Sequence, residues 1–346
     1  MLQYKRSTIK EVAQVAGVST MTVSRVINGR PDVAPQTRQR VRQVIQQLGY
    51  QPSALARSLI QQRSYTLGVV VAGLKYLGPS RTLNGIAAKA ETMGYSLLLK
   101  ELPHFDTRDI TPIFQSLLAR HVDGIIWAVP QIGDNHAWLQ GHCTEQPVPM
   151  VFLTMESWPE LPVVAVDNYL GGRLATRHLL EQGYQRIGHL AGPLEWWEAR
   201  QRLAGWQAAL QEAGLPALDT QWVEGNWSSS SGAQAILQLF SQYPEMEAVF
   251  VANDQMALSA LQAAHRRGRQ VPQDLGVIGF DGMPEAAYFW PPLTTVAQDQ
   301  QALGSLAVQQ LVDLIEAHQA GQSLDITGPV LLEPGLVIRE STRRLS

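Results

Sequence analysis

The stretch from Thr8 to Asn28, TIKEVAQVAGVSTMTVSRVIN, constrains the fold of this chain more than any other. Apolar residues recur at helical spacing in two short segments, one on either side of Gly17. Gly17 can adopt the positive φ of a tight turn, and Ser19 or Thr20 can cap the second helix. This pattern predicts a helix-turn-helix, whose second helix enters the major groove of DNA; an ordinary helical hairpin is the alternative.

The charge distribution favours the DNA-binding interpretation. Residues 1–62 hold nine lysine and arginine side chains and two acidic ones, which gives a net charge of +7. The remaining residues hold 18 basic and 28 acidic side chains, which gives −10. A basic run alone usually forms an exposed face, but this one coincides with the predicted helix-turn-helix. A basic head on an acidic body is typical of a module that binds a polyanion joined to a separate sensor.

Length and composition narrow the class of protein further. A chain of 346 residues is too long for one ordinary core, so we expect two or three domains. The single cysteine, Cys143, cannot form an internal disulfide and does not indicate a zinc site. No segment has the uninterrupted apolar length of a membrane span, and residues 1–10 lack the apolar run of a signal peptide. We therefore expect a cytoplasmic protein with no membrane partner.

A third helix and a short hinge complete the predicted head. Pro35 is expected to open the third helix and Gly49 to end it, so that residues 1–52 form a three-helix headpiece. Ser53 precedes ALARSLI, and residues 53–63 are predicted to form a hinge helix. That segment is too short to be stable alone, and we expect it to order only on DNA or against a second copy.

From Tyr65 onward, apolar strands alternate with helices in two successive series. Such alternation predicts parallel sheets with right-handed crossovers, and two series predict two doubly wound α/β lobes. A ligand cleft is expected where the strand ends of the two lobes meet. No G-x-S-x-G elbow, P-loop, H-E-x-x-H or G-x-G-x-x-G motif stands at a strand end, so we expect neither an enzyme nor a cofactor.

The motifs TIKEVAQVAGVS, TVSRVINGR, LGYQPSALARSL, VANDQMALSAL, VIGFDG and PPLTTVAQD resemble the lactose-repressor (LacI/GalR) family over essentially the whole chain. The resemblance implies a headpiece, a hinge helix and two periplasmic-binding-protein-like lobes. It divides residues 64–346 into a first lobe of about 64–165 and 298–327 and a second of about 166–297 and 328–340. Because no leucine-heptad tail precedes Ser346, it implies a homodimer on a near-palindromic operator.

Residue chemistry and the resemblance together indicate how DNA is read. Arg25 can form a bidentate contact to guanine, with a phosphate contact as the alternative. Thr20 and Met21 occupy the two positions that the resemblance associates with operator preference. The residues expected to contact the sugar-phosphate backbone of DNA are Thr8, Ser19, Thr22, Ser24 and Asn28. In the hinge, the resemblance implies a Leu59 wedge in the minor groove, for which a linker residue without a role is the alternative. It also implies a DNA contact by Ala56 and a phosphate contact by Arg57.

The resemblance also implies a sugar site between the lobes. Sugars carry hydroxyl pairs and apolar faces, so their sites combine carboxylates, amides and arginine with aromatic rings. The implied sugar contacts are Arg202, Asn253, Asp281 and Gln298, with Trp227 stacked on the ring. An N-cap is the alternative role for Asn253 or Asp254. Further candidates for the lining are Pro79, Thr154, Trp127 and Trp197.

Three departures from the galactoside-binding pattern of the family bear on specificity. Thr154 replaces an aspartate, Ala128 an amide and Gln300 an aromatic residue, so the glycoside class is expected while galactose specificity is left open. The expected function is repression of a sugar-utilisation operon that a galactoside-like effector relieves. A corepressor-type regulator is the alternative within the family. A sugar-binding transport component and an enzyme acting on glycosides are the alternatives outside it.

Overall fold

The computed structural model describes residues 7–27, 29–50, 63–105, 107, 109–139, 147–158, 161–322 and 328–343. The chain forms two compact units, Met1–Tyr65 and Thr66–Ser346, called here the headpiece and the body. The predicted hinge lies outside the described residues except for its last residue, Arg63, and its expected role stays a prediction. The other residues discussed above that lie outside the described residues are Asn28, Cys143 and Ser346, and within the hinge they are Ser53, Ala56, Arg57 and Leu59.

Three helices build the headpiece: α1 Ile9–Ala16, α2 Thr20–Ile27 and α3 Pro35–Leu48. Thr8 caps α1 in a capping box with Glu11, and Gly17 ends α1 with a φ of 64°. Ser19 caps α2, because its Oγ accepts a hydrogen bond from the Thr22 amide at 3.1 Å. These local signals place the turn of the helix-turn-helix where the sequence predicts it.

One fully buried valine from each helix meets in the headpiece core: Val12, Val23 and Val41. Further apolar side chains from all three helices surround them, so α1 and α2 are held at a fixed angle by α3. The core is small, and each of its members therefore contributes a large share of the stability of the headpiece.

The first lobe of the body is a six-stranded parallel sheet with helices packed on it. Its elements are β1 Thr66–Val71, α4 Leu77–Thr92, β2 Ser96–Glu101, α5 Thr111–Leu118, β3 Gly124–Ala128, β4 Met150–Leu153, β5 Val163–Val166, α10 Gln300–Gln319 and β11 Val330–Leu332. The strand order is β11-β5-β4-β3-β1-β2, and every pairing is parallel.

The second lobe repeats this arrangement. Its elements are α6 Asn168–Glu181, β6 Ile187–Ala191, α7 Trp197–Glu212, β7 Trp222–Glu224, α8 Ser229–Gln242, β8 Ala248–Val251, α9 Asp254–Arg266, β9 Gly276–Asp281, β10 Thr294–Ala297 and β12 Gly335–Val337. The order is β12-β10-β9-β8-β6-β7, in which only the β10–β12 pair is antiparallel among the described strands. The predicted pair of doubly wound α/β lobes is confirmed.

One lobe assignment is corrected by the strand pairing. The sequence prediction placed residues 328–340 in the second lobe, but β11 lies in the first sheet, where Val330 pairs with Val164 of β5. The chain returns to the second lobe only with β12. A strand of three residues has no pattern of its own that selects a sheet, because only pairing with a distant strand decides its place.

One helix begins earlier than the sequence pattern predicts. The pattern between the first two strands of the body predicts a helix from Arg81, but α4 begins at Leu77, and its first turn contains Gly78 and Pro79. The first turn of a helix tolerates proline because its amides have no partner within the helix. This early start brings Pro79 to the junction of the two lobes. In the described part of the chain, no helix is both long and apolar enough to cross a membrane.

Candidate functional site

The exposed face of α2 carries the side chains that the sequence predicts for base recognition. Val23 and Val26 are buried in the headpiece, so Thr20, Met21 and Arg25 lie on the other side of the helix. Met21 is 64% exposed, and half of the Arg25 side chain is exposed. A helix with this face outward can present three side chains to the edges of bases in a groove.

Two of the residues predicted to contact the DNA backbone also have structural roles in the headpiece. Thr8 caps α1, and Ser19 caps α2 while its hydroxyl lies 3.0 Å from that of Thr22. Arg25 lies 3.4 Å from Asp32, an ion pair that the sequence did not suggest. Both partners are half exposed, so the pair is worth at most about 1 kcal/mol and leaves Arg25 able to exchange it for another acceptor.

A cavity of about 70 Å³ lies between the two lobes of the body, at the carboxyl ends of their strands. The first lobe contributes Tyr76, Leu77, Gly78 and Pro79, the connection into α10 contributes Gln298, and the start of α10 contributes Gln300. The second lobe contributes Trp196, Glu198, Arg202, Trp227, Asn253, Gln255 and Asp281. A ligand in this cavity would contact both lobes at once.

Arg202 on α7 is the centre of the polar network. It is 5% exposed, and its Nε donates a hydrogen bond to Asn168 Oδ1 at 2.8 Å. One guanidinium nitrogen donates to the carbonyl of Ala252 and lies 3.5 Å from Asp281 Oδ1. The guanidinium also lies over the ring of Phe280, 3.8 Å from its centroid. Arg202 therefore ties three segments of the second lobe together at the cavity wall.

Asp281 ends β9 and faces this arginine. Its Oδ1 accepts a hydrogen bond from Gln298 Nε2 at 2.7 Å, which links the second lobe to the connection into α10. Burial raises the pKa of the Asp281 carboxyl, and the positive charge of Arg202 opposes that rise. The structure thus brings Arg202, Asp281 and Gln298 together, as the resemblance implied.

Backbone strain concentrates near the cavity. Asp281 has a φ of 108°, Trp227 of 71° and Thr154 of 59°, values that side chains rarely adopt. Asp281 and Trp227 line the cavity, and Thr154 lines a hollow that adjoins it. Such conformations cost about 1–3 kcal/mol each and persist where the surrounding structure imposes them, typically at functional sites.

Asn253 combines the two roles that the sequence left open. Its Oδ1 accepts from the Met256 amide as the N-cap of α9, and the residue also lines the cavity. Its Nδ2 donates to the Trp227 carbonyl at 2.9 Å, which helps to fix that residue. Asp254 is fully buried and accepts from Thr295 Oγ1, and burial raises its pKa to about 7. The structure gives Asp254 no contact with the cavity.

Four aromatic rings form one side of the cavity and its rim. Tyr76 and Phe105 from the first lobe meet Trp196 and Trp227 from the second, with neighbouring ring centroids 5.1–6.1 Å apart. Trp227 can lie this deep because Gly192 beneath it has no side chain; a Cβ there would overlap its ring. Aromatic faces of this kind suit the apolar C–H face of a sugar.

Two tryptophans proposed for the lining lie elsewhere, and both predictions are corrected. Trp127 is 1% exposed and stacks on Phe114 within the first-lobe core, because its strand position points away from the cleft. Trp197 also packs in that core, whereas its neighbour Trp196 lines the cavity. Trp196 is the N-cap of α7 with an extended backbone and Trp197 is its first helical residue, so the two side chains point in different directions. Trp290 is 88% exposed on the surface.

Sequence reasoning overlooked Glu198, Tyr76 and Gln255. Glu198 lies in the first turn of α7, one turn before Arg202, and this spacing was the signal that could have identified it. Its Oε2 is buried with no hydrogen-bond partner among the described residues, and burial raises the pKa of the carboxyl to about 7. Tyr76 and Gln255 carry no local signal of this kind.

Three histidines in the helices and strands of the second lobe lie away from the cavity. His189 is fully buried in β6, where Nδ1 lies 2.9 Å from the Phe250 carbonyl and burial lowers its pKa to about 3. His178 is buried against Thr342, and His265 is exposed. Over the described ranges, no group of three or more histidine, cysteine or acidic side chains is placed to hold a metal ion.

Comparisons with known proteins agree with this architecture. The family model for bacterial regulatory proteins of the lacI family matches residues 8–53. A model for a periplasmic binding protein-like domain matches residues 176–342. The lactose operon repressor of Escherichia coli (strain K12) is 33% identical over 98% of this chain and 91% of its own length. The chain belongs to the LacI family.

Other members of the LacI family match over nearly the whole chain as well. The ribose operon repressor of Escherichia coli (strain K12) is 35% identical over 95% of this chain and 99% of its own length. The crystal structure of the lac repressor dimer bound to operator and the anti-inducer ONPF has a TM-score of 0.84 at 33% identity, covering 98% of this chain and 99% of that one. A complex of the regulator CelR with cellobiose has a TM-score of 0.70 at 32% identity, covering 97% and 100%.

These matches confirm the predicted family, fold class and helix-turn-helix. This LacI-family protein is a DNA-binding repressor, and its named relatives are repressors and regulators, not enzymes.

Proposed function

We propose that this protein represses a sugar-utilisation operon and that a sugar or glycoside bound between the lobes releases it from its operator. One observation carries the proposal: in a chain with a helix-turn-helix, a cavity between two lobes combines Arg202, Asp281 and Gln298 with the rings of Trp196 and Trp227. Paired polar groups beside aromatic faces are the chemistry that sugars require.

The position of the cavity supports an allosteric role for its ligand. Because both lobes line it, a ligand there stabilises the lobe arrangement in which it makes more contacts. In the proposed mechanism that arrangement disfavours pairing of the hinge, residues 53–63, and weakens operator binding. The size of the response is limited by the difference in ligand affinity between the two arrangements.

Two measurements on the full-length protein test the proposed function. An unbiased selection from random duplexes is expected to return an inverted repeat. A thermal-shift panel of neutral monosaccharides and disaccharides is expected to contain a ligand that stabilises the protein, since binding to the folded state alone raises its stability. That ligand should weaken binding to the selected duplex. Stronger binding would indicate a corepressor, and failure of both measurements would refute the proposal.

Replacing Arg25 with alanine should reduce affinity for the operator much more than affinity for nonspecific DNA. A bidentate contact to guanine discriminates by about 1–3 kcal/mol, so we expect a loss of roughly 5–150-fold on the selected duplex and little loss on a scrambled one. Arg40→Ala is the matched control, because Arg40 is an exposed arginine on α3. Equal losses on both duplexes would instead make Arg25 a phosphate contact.

We also propose that the protein acts as a homodimer. The related lac repressor is described as a dimer, and Tyr288 and Trp290 are 89% and 88% exposed on one loop here. Exposed aromatic side chains so close together typically mark an interface, and a second copy is the proposed occupant. Trp290→Ser should shift the protein from dimer to monomer in sedimentation velocity, whereas Tyr65→Ser should not. A monomeric wild-type protein would contradict this assignment.

A further inference from the structure

The cavity between the lobes contains two polar atoms that the protein itself does not pair. Glu198 Oε2 and Trp227 Nε1 are both buried, and neither has a hydrogen-bond partner within the described residues. Both residues line the cavity. Buried polar atoms are almost always hydrogen-bonded, so an unpaired acceptor and an unpaired donor around one cavity indicate a ligand that completes both.

Glu198 lies where it can supply a carboxyl group that the first lobe lacks. Besides the cavity, Glu198 lines an adjoining hollow together with Ala128, Pro130 and Thr154. Those three side chains offer one hydroxyl and no carboxylate to a ligand. Among the described residues that line this hollow, the one carboxyl group therefore comes from the opposite lobe, out of the first turn of α7.

The charges around Glu198 restrict what can bind there. Arg202 and Arg200 on its own helix and Asp281 at the end of β9 are the charged groups that act on it. Arg200 donates to the carbonyls of Leu194 and Glu195, and Arg202 pairs with Asp281. The side chains that reach the hollow from α4, α6 and α10, Thr82, Asn168 and Gln300, are uncharged. Among the described residues, no cationic side chain thus forms an ion pair with Glu198.

A charged ligand would be disfavoured for either sign of charge. A phosphate or carboxylate on the ligand would add a third negative group beside Glu198 and Asp281. An ammonium group would lie near the guanidinium of Arg202, which already occupies the same cavity wall. A hydroxyl group pairs with Glu198 without either cost, because it donates a hydrogen bond and carries no charge.

We propose that Glu198 determines effector specificity by accepting a hydrogen bond from a hydroxyl group of an uncharged sugar, and that it thereby excludes sugar phosphates and sugar acids. This inference rests on the function proposed above and names the chemical class of its effector. The indole N–H of Trp227 supplies the complementary donor to an oxygen of the same ligand.

Proton linkage gives this role a signature that a packing role would lack. In the free protein, burial raises the pKa of Glu198 to about 7. A hydroxyl that donates to the ionised carboxylate stabilises that form and lowers the pKa in the complex. Affinity for a neutral sugar should therefore rise between about pH 6 and pH 8 and then level off, and binding below pH 7 should release a proton.

The test compares the wild-type protein with Glu198→Gln and with Glu195→Gln, which removes an exposed carboxylate three residues away. Titration calorimetry would use the best neutral sugar from a panel of lactose, cellobiose and methyl glucoside, together with glucose 6-phosphate, glucuronate and glucosamine. In Glu198→Gln we expect at least about a tenfold loss of affinity for the neutral sugar and no pH dependence, because a neutral acceptor forms the weaker hydrogen bond. Glu195→Gln should match the wild type.

Three outcomes would overturn the role of Glu198. They are unchanged affinity and pH dependence in Glu198→Gln, tighter binding of glucose 6-phosphate or glucuronate than of the neutral sugars, and tighter binding of glucosamine. Each of these leaves the proposed function intact, because a sugar still binds. Failure of every sugar to bind the wild-type protein would refute the proposed function and this inference with it. Thermal melts of each variant would show that the fold is retained.

Discussion

Replacing Arg202 with methionine should abolish effector binding and lower the free energy of unfolding of the body by about 3–5 kcal/mol. Methionine fills much of the space of the arginine stem but leaves the Asp281 carboxylate without its cation. It also removes the donors to Asn168 Oδ1 and to the Ala252 carbonyl. Urea denaturation would measure the stability, and the thermal-shift panel would measure ligand binding.

The loss in Arg202→Met should depend on pH in a defined direction. Burial already raises the pKa of Asp281, and removal of Arg202 removes the main influence that lowers it. A carboxyl group whose pKa is higher in the folded than in the unfolded state lowers the free energy of unfolding as the pH rises from the unfolded pKa to the folded pKa. The variant should therefore be closer to the wild type near pH 5 than near pH 8.

Two further variants identify the cause of this loss. Adding Asp281→Asn to Arg202→Met removes the unpaired charge and should restore part of the stability but not ligand binding. Arg177→Met is the matched control, because Arg177 forms an exposed pair with Glu212 and its loss should leave the stability nearly unchanged. A double variant no more stable than Arg202→Met would show that the Asp281 charge is not the reason.

Val41→Asp should unfold the headpiece and reduce operator binding by at least about a hundredfold. Val41 is fully buried among the apolar side chains of α1, α2 and α3. A domain of this size is stabilised by only about 3–5 kcal/mol, and burial of an unpaired carboxylate costs more than that. The loss should be measured as affinity for the selected duplex together with the helical circular dichroism signal.

The body should be unaffected by Val41→Asp, because headpiece and body are separate compact units. The melting transition of the body and its response to the sugar should remain. Gln43→Asp adds the same charge at an exposed position of α3 and controls for electrostatic repulsion of DNA. Loss of sugar binding in Val41→Asp would contradict the independence of the two units.

The headpiece could be predicted closely because its signals are local. Thr8 and Glu11 form a capping box, Gly17 ends α1 and Ser19 caps α2. Each of these hydrogen bonds joins residues no more than four positions apart in the sequence. Helical spacing then determines which valines are buried. The exposed Met21 and Arg25 follow from the same periodicity, whereas the ion pair between Arg25 and Asp32 does not.

The site between the lobes could be predicted only in part. The resemblance indicated Arg202, Asp281 and Gln298, and the structure brings them together. It did not indicate Glu198, because the role of that residue depends on the burial of Oε2, which the sequence does not show. The assignments of Trp127 and Trp197 failed because residue type alone cannot distinguish an aromatic side chain in the core from one at a cavity.

The amino-acid sequence by itself determined the helix-turn-helix, the basic head on an acidic body and the succession of strands and helices in two lobes. These properties depend on caps, periodicity and charge, which act between residues close in the chain. Only the tertiary structure decided that β11 joins the first sheet and that Trp196, not Trp197, faces the cavity. It alone showed that Glu198 Oε2 is buried without a hydrogen-bond partner among the described residues, because burial and pairing depend on segments far apart in sequence.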